Sequence, residues 1–423
     1  MNSKQDGTVS SKGELTVLGG GIVGLCCAIA AQKQGFKVSL LDKDEPGRGA
    51  SFGNAGHFAT EQMFPLASFS LVPRLPGMLL DPQGPFRIRP GYFFKALPWF
   101  CRFMANMLPA KRRKNGAAIA ALNREAIGAM RRLLAQAEAS ELMCENGSLL
   151  LFERDEKAAR QEFEAYTKAS VAVKLLSGDE VRRLEPSLSG NIKAALFFTE
   201  VAHTPSPFEL CKHLELHFKA LGGQVLRAEI DKLQPDKQGV RLGDSQGQSW
   251  HCDRLLLCCG AWSKPLAQQL GHEVPLDTER GYHLMMPQVS GLSRPVASFE
   301  RKFIITPMRG GTRLAGTVEF GGLEAPMDPS RADCLLPHAQ ALLPKVFSSA
   351  SAEQGERWMG FRPSLPDSLP ILGASLKQKG VWFAFGHQHL GLTWAAITAE
   401  LLASEFDGDE PALSLHPYRI DRF

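Results

Sequence analysis

The sequence predicts an α/β fold organised around a nucleotide-binding βαβ unit, with a second, mixed α+β domain interleaved along the chain. Three observations predict it. A short apolar strand runs into a glycine turn and an apolar helix near the start of the chain, a second apolar strand ends in an acid, and the glycines between them are spaced G-x-G-x-x-G. Leu15, Thr16, Val17 and Leu18 suit a buried strand, Gly19, Gly20 and Gly21 a turn, and residues 22–34 an apolar helix that stops at Gly35. Residues 36–41 (FKVSLL) then form the second strand, which ends at Asp42.

Each motif position has a physical task. Gly19 allows the tight turn, Gly21 lets backbone approach a pyrophosphate, and Gly24 lets the helix pack closely on the strand. The helix start at Ile22 and Val23 presents free N–H groups and the positive end of the dipole to the phosphates. Asp42 follows Gly24 at close to the spacing of about 20 residues at which a carboxylate receives ribose hydroxyls. An acid there disfavours a 2′-phosphate, so FAD and NAD remain and NADP does not.

Composition bounds the alternatives. The 423 residues suggest two or three domains or subdomains, and 44% hydrophobic with 22% charged residues is globular usage. A net charge of +4 is too small over this length to indicate nucleic acid. The nine cysteines (26, 27, 101, 144, 211, 252, 258, 259 and 334) contain no C-x-x-C and are odd in number. They fit a reducing compartment rather than a disulfide framework or zinc ribbon, which points to the cytoplasm. The polar start, residues 1–14, does not read as a signal peptide, and residues 15–31 fall short of the roughly 20 apolar residues that a membrane span needs.

Residues 49–57 (GASFGNAGH) match G-x-S-x-G, the nucleophile elbow, but an elbow needs a strand leading into its serine and a helix leaving it. Here a polar run precedes Ser51 and another glycine turn follows it, so acyl transfer is set aside. The Ala50-Ser51-x-x-Asn54-Ala55-Gly56 pattern instead resembles the flavin-contacting loop of the FAD-dependent D-amino acid oxidase and dehydrogenase family. Three later stretches resemble the same family in order: residues 252–263 (CDRLLLCCGAWS), 358–373 (WMGFRPSLPDSLPILG) and 386–393 (GHQHLGLT). The resemblance runs from Thr16 to Phe406. It implies a D-amino acid oxidase-like fold: a discontinuous Rossmann-type FAD-binding domain from residues 1–85, 204–271 and 356–423, and a mixed α+β substrate-binding domain from 86–203 and 272–355.

The resemblance also implies contacts to FAD from Gly19, Gly21, Ile22, Val23, Gly24, Asp42, Lys43, Ala50, Ser51, Asn54, Ala55, Gly56, His57, the backbone of Ile230, Gly260, Trp262, His387, Gln388, Leu390, Gly391, Leu392 and Thr393. No cysteine or histidine sits in a motif that matches covalent attachment, so the cofactor is expected to be non-covalent FAD. Arg362 corresponds to the arginine that pairs with the substrate carboxylate, where a planar guanidinium grips both oxygens. Arg280-Gly281-Tyr282-His283 resembles the strand entrance to the substrate pocket, with Tyr282 as a second polar contact and His389 as a catalytic-site histidine. Backbone N–H groups from Leu390 to Thr393 would face negative charge on the reduced flavin.

No metal site is expected. His387 and His389 lack a third ligand, and HLELH at 213–217 lacks the glutamate position of H-E-x-x-H. The pairing of GHQHLG with NAGH resembles the D-hydroxyproline and D-proline dehydrogenase branch whose members are single polypeptides. The implied reaction is oxidation of a D-amino or D-imino acid to the imine, with cis-4-hydroxy-D-proline or D-proline as substrate. The alternatives are a broad-specificity D-amino acid dehydrogenase, a glycine or sarcosine oxidase, and a non-catalytic flavin-binding scaffold, which would not need Arg362. A respiratory quinone is one possible electron acceptor.

Residues 82–124 carry nine basic and no acidic side chains. Phe93, Leu97, Phe100, Met104 and Met107 recur at helical spacing, with Trp99 and Phe103 widening the face. Such a helix can lie on the inner face of a membrane. The expectation is that it packs on the protein's own core, with Lys111 to Lys114 as a solvated turn. Further on, residues 209–220 read as a helix and 224–230 and 239–242 as strands.

Overall fold

In the computed structural model, which describes residues 12–74, 77 and 84–423, the first strand is Glu14–Leu18, the helix Ile22–Lys33 and the second strand Lys37–Asp42. Residues 1–11 of the polar start, and residues 82–83 at the head of the basic stretch, lie outside the described residues. Leu25, Cys26, Ala28, Ile29 and Ala31 of the helix are buried, because it is enclosed between the sheet and the last long helix, Gly391–Asp407. The small alanines and cysteines permit that close approach. Gln34 caps the helix and Gly35, at φ +91°, turns the backbone.

The two strands pair in parallel. Leu255–Leu257 joins the other side of the first strand, followed by Val381–Phe385, while Gln224–Arg227 extends the opposite edge. Ile371–Ala374 closes the far edge antiparallel, giving six strands drawn from three distant stretches of sequence. Both faces are covered, and its central strands are accordingly apolar without alternation. The strand expected over 224–230 is interrupted. Ala228 donates its N–H to the Asp42 carbonyl at 2.8 Å, and Ile230–Pro235 then leaves for a separate three-stranded sheet with Val240–Asp244 and Ser249–Cys252.

A second, nine-stranded sheet is built around Asp277–Met286, flanked by Gly311–Phe320 and Glu356–Ser364. Glu356–Ser364 pairs along its whole length with Asp277–Met286. That ladder ties residues 356–364, expected in the FAD-binding domain, to this second sheet.

The basic stretch divides into the helices Phe93–Ala105 and Pro109–Gln136. Trp99 is buried beside Phe320, and its indole N–H donates to the Ser364 carbonyl at 3.2 Å. Core packing takes only part of the expected stripe. Phe93, Leu97 and Met104 are exposed, as is Phe94 at 82%. Lys111 to Lys114 are not a turn but the first turn of the second helix. Pro109 at its start, where a missing N–H costs nothing, sets that boundary.

Candidate active site

The glycine cradle is constrained sterically. Gly19 sits at φ +109°, and a Cβ at Gly24 would lie 1.8 Å from the Gly19 carbonyl oxygen. No side chain other than hydrogen fits position 24 while the helix stays on the strand. A Cβ at Gly21 would meet only Ser51 Oγ, at 3.4 Å, so the turn is open on that side. The helix Ile22–Lys33 has no side-chain cap and no acid in its first turn. Ser51 Oγ accepts the Ile22 N–H at 3.0 Å and brings the 49–57 loop over the helix start. The Ile22 N–H, expected to be free, is thus taken by Ser51, while the open glycine turn and the remaining N–H groups of the first turn fit the pyrophosphate of FAD.

Asp42 closes the nucleotide end. Its Oδ2 accepts the Gly20 N–H at 2.5 Å and its Oδ1 the Asp44 N–H at 2.9 Å. Burial raises its pKa, and those two N–H groups oppose the rise. Each oxygen keeps a lone pair for a ribose hydroxyl. Lys43 Nζ lies 4.5 Å from the ring centre of Trp262, in the turn Gly260–Trp262 with Gly260 at φ +53°. Ile230 opens its strand two residues after Ala228, at the same edge as Asp42.

The loop after Gly49 is clamped from the substrate-side sheet. Arg313 Nη1 donates to the carbonyls of Phe52 and Asn54. His283 Nδ1 is bonded to the Gly53 carbonyl at 3.1 Å and its ring stacks on Trp358, 5.0 Å between centres. A Cβ at Gly53 would stand 2.2 Å from the Trp358 ring. Asn54 Oδ1 accepts the Gly56 N–H, and Gly56 at φ +71° lies against the Thr204 carbonyl. Ala50 is exposed and Ala55 half-buried. Arg313 carries no signal in the sequence, because its role depends on a loop remote from it in sequence.

Arg362 lies directly opposite Glu279 in the Asp277–Met286 ladder, so the two side chains share a face. Its guanidinium spreads over Gly281, where a Cβ would sit 2.4 Å from Cζ. Burial lowers its pKa, and the nearby Glu279 opposes that. Among the described residues no hydrogen bond or ion pair takes the guanidinium. Two neighbouring arginines contrast with it. Arg280 is spent on Glu319 and on the carbonyls of Gly322, Ala325 and Pro326, and Arg313 is spent on the loop. A half-buried guanidinium with no protein partner is a ready acceptor of an anion that would complete it.

Strand parity separates Tyr282 from this face. Successive side chains alternate, so Tyr282 points with Arg280 to the side opposite Gly281 and Arg362. It is 1% exposed and packs in an apolar core with Leu284, and its hydroxyl donates to Glu319 at 2.7 Å. The expectation that Tyr282 contacts the substrate is thereby corrected.

The 386–393 segment divides its residues between support and site. His387 is buried, with Nε2 at 3.1 Å from Thr398 Oγ1, and burial lowers its pKa to about 3. Gln388, at φ +53°, donates its backbone N–H to the Pro363 carbonyl and its side chain to the Leu365 carbonyl. Both residues hold the Arg362 loop against the last helix, with their side chains committed to protein. The Leu390 N–H is spent on the His387 carbonyl, which removes it from the expected group of free donors. Gly391, Leu392 and Thr393 form the uncapped first turn, whose N–H groups lack intrahelical acceptors. Thr393 Oγ1 accepts the Ala59 N–H at 3.0 Å, joining this turn to the His57 loop.

His389 faces the other way. Its Nε2 is bonded to Gln62 Oε1, and burial first, then the Arg362 charge and the repulsion that a protonated His57 would add, bring its pKa down to about 3. Beyond Gln62 opens a cavity of about 260 Å³, walled by His57, Glu61, Tyr166, Phe64, Phe198 and Ile304. Burial lowers His57 to about 4 and raises Glu61 to about 8. The two approach to 3.6 Å, but burial keeps both neutral at pH 7, so this contact is not an ion pair. Sequence reasoning missed Glu61 and Gln62, which lie in no recognisable motif. Among the described residues no group of three or more His, Cys, Asp or Glu is placed to hold a metal, and no helix is long and apolar enough to cross a membrane.

Comparison with known proteins agrees with this geometry. Residues 14–405 match the family model described as DAO, FAD dependent oxidoreductase. The chain is 33% identical over 420 residues, 97% of its length and 98% of the other's, to a D-amino-acid oxidase of Bradyrhizobium diazoefficiens. It is 28% identical over 426 residues, 97% of its length and the whole of the other's, to D-amino acid dehydrogenase 2 of Ralstonia nicotianae. In fold it is similar to glycine oxidase from Geobacillus kaustophilus, with a TM-score of 0.74 at 21% identity, covering 97% of this chain and 98% of that one. With its glycine cradle, loop clamp and family match extending over nearly its whole length, the chain belongs to the DAO family of FAD-dependent oxidoreductases.

Proposed function

We propose that this protein is a dehydrogenase that oxidises a D-amino or D-imino acid to the corresponding imine. The observation that carries the reading is Arg362, a guanidinium without a protein partner beside the flavin-binding elements. A carboxylate would complete it through two parallel charge-assisted bonds and fix the substrate Cα in one orientation. Bound FAD would supply the acceptor for the hydride that leaves Cα. The protein holds the site in place through Arg313, His283 and Gln388, and the imine is hydrolysed by water or persists when cyclic. The names of the relatives support an amino-acid donor. Turnover of D-amino acids, D-proline and sarcosine with an artificial electron acceptor, with and without oxygen, tests the reading and separates dehydrogenase from oxidase. Absence of turnover with every one of these donors would overturn it.

The substrate we favour is cis-4-hydroxy-D-proline or D-proline. His57 and His389 are neutral imidazoles at pH 7, and each can offer a donor or an acceptor to a ring hydroxyl. The expected result is a higher kcat/KM for these ring substrates than for D-alanine, with D-proline trailing the hydroxylated form because a hydrogen-bonding group would be left unpaired. D-alanine or glycine exceeding both would return the protein to the broad-specificity alternative, which the dehydrogenase relatives also support.

The helix Phe93–Ala105 supports peripheral attachment to an anionic bilayer. Phe93, Phe94, Leu97 and Met104 are exposed on this helix, and Lys111, Arg113 and Lys114 are exposed at the start of the next, Pro109–Gln136. Those cations lie at a helix N-terminus, where the dipole opposes them and a nearby anionic surface would relieve the conflict. Replacing Lys111, Arg113 and Lys114 by glutamine is expected to abolish sedimentation with anionic vesicles at low salt and spare dye-linked turnover. Arg112 is retained in that variant because its Nε holds the Ala67 carbonyl. Failure of the unaltered protein to bind such vesicles would exclude this attachment.

A further inference from the structure

Glu61 is a carboxylic acid that the family comparison does not explain. Its Oε2 is buried without a hydrogen-bond partner, and so is the Nε2 of His57 at 3.6 Å. Both wall the 260 Å³ cavity, whose other walls are mostly apolar: Phe64, Leu149, Phe198 and Ile304. A polar pair left unsatisfied in such a setting costs free energy that a complementary ligand group would recover. Gln62, the next residue, links the cavity to His389, and His389 lies within electrostatic reach of both His57 and Arg362. The fold thus places an unpartnered carboxyl on the cavity wall, joined through Gln62 and His389 to the neighbourhood of the unpartnered Arg362 guanidinium.

We propose that Glu61 is a catalytic residue that binds the cationic nitrogen of the amino- or imino-acid substrate and takes its proton. The step breaks one N–H bond of the substrate and forms one O–H bond on Glu61, and it leaves a neutral amine with a free lone pair. Only that form can release hydride from Cα, because the lone pair becomes the second bond of the C=N product. No oxidant or reductant is needed for the transfer itself. The inference rests on the amino-acid-donor reading above and narrows it to donors with a basic, unacylated nitrogen.

The groups around Glu61 leave it suited to this task. His57 is neutral above about pH 4, and His203, whose Nδ1 is also unpartnered, is likewise held to about 4. Tyr166 stays protonated, its pKa raised by burial and then by Glu61 and Glu162. Glu61 itself is raised to about 8, by burial alone. In the free protein the base form therefore appears as pH rises through about 8, below the value near 10 of a simple alkyl amine. At pH 7 the base form is therefore the minority, and it becomes the major form only as pH passes about 8.

The wild-type kcat/KM is therefore expected to rise with pH up to about 8 and to fall again above the pKa of the substrate amine. In Glu61→Gln the maximum should vanish and kcat/KM should climb to the amine pKa, so that the loss is about 10²-fold at pH 7 and only a few-fold at pH 10. Glu61→Asp should retain the rise near pH 8 at reduced rate. Flavin absorbance confirms the cofactor in each variant, and Glu61→Asp with the wild-type profile decides the question if Glu61→Gln loses it. A loss in Glu61→Gln that is the same at every pH, or a wild-type rise that continues to pH 10, overturns the proposal. Selective loss of donors that carry a second cationic group, with D-proline unaffected, also overturns it by making Glu61 a receptor for that group. Absence of any amino-acid turnover by the wild type would instead sink the donor reading itself.

Discussion

Gly24→Ala is expected to yield protein that purifies without bound flavin. The added methyl would stand 1.8 Å from the Gly19 carbonyl oxygen, and neither atom belongs to a flexible side chain. The helix Ile22–Lys33 must then lift from the strand Glu14–Leu18, which moves the N–H groups of its first turn away from the pyrophosphate position. Overpacking of this kind costs about 1–3 kcal/mol of stability. The loss in cofactor affinity should be larger, because several hydrogen bonds depend on the same placement. Gly49→Ala is the control: a Cβ there meets nothing within 4 Å, and it sits in the same loop as Ser51. Absorbance at the flavin bands, normalised to protein, reads both variants. Gly24→Ala with wild-type flavin content would show that the cofactor is held away from this turn.

Arg362→Lys should retain its flavin and raise KM for an amino-acid donor by about 10–100-fold, the effect of losing a hydrogen bond to a charged group in a desolvated site. Lysine keeps the charge. It does not reproduce the planar pair of parallel donors, and its shorter reach leaves the space over Gly281 partly empty. Substrate orientation should suffer with affinity, so kcat is expected to fall as well. Steady-state kinetics with an artificial acceptor, alongside flavin content, separate this outcome from misfolding. Wild-type KM in the lysine variant would place the carboxylate elsewhere.

These two residues differ in how far sequence could reach them. The glycine cradle was legible because its constraints are local: the strand, the turn and the first turn of the helix are contiguous, and G-x-G-x-x-G records their steric requirements directly. Asp42 was legible for the same reason, since its strand follows at once and its carboxylate returns to Gly20. Arg362 was recognised through a resembling motif, but that its guanidinium has no partner became visible only in the fold.

The sequence by itself determined the nucleotide-binding unit and, through ordered motifs, the DAO-type architecture. Tertiary structure decided which side chains reach the site. Tyr282 and Gly281 are adjacent in sequence, yet the ladder with Glu356–Ser364 turns one into an apolar core and sets the other beneath Arg362. Parity along a strand is visible in a sequence, but which parity faces the cofactor depends on a partner strand remote in sequence. His387, Gln388 and His389 likewise take three different partners, Thr398, Leu365 and Gln62, on either side of the left-handed turn at Gln388. Glu61 shows the same limit most clearly. No motif marks it, and its raised pKa comes from desolvation by strands and helices that converge on it only once the protein is folded.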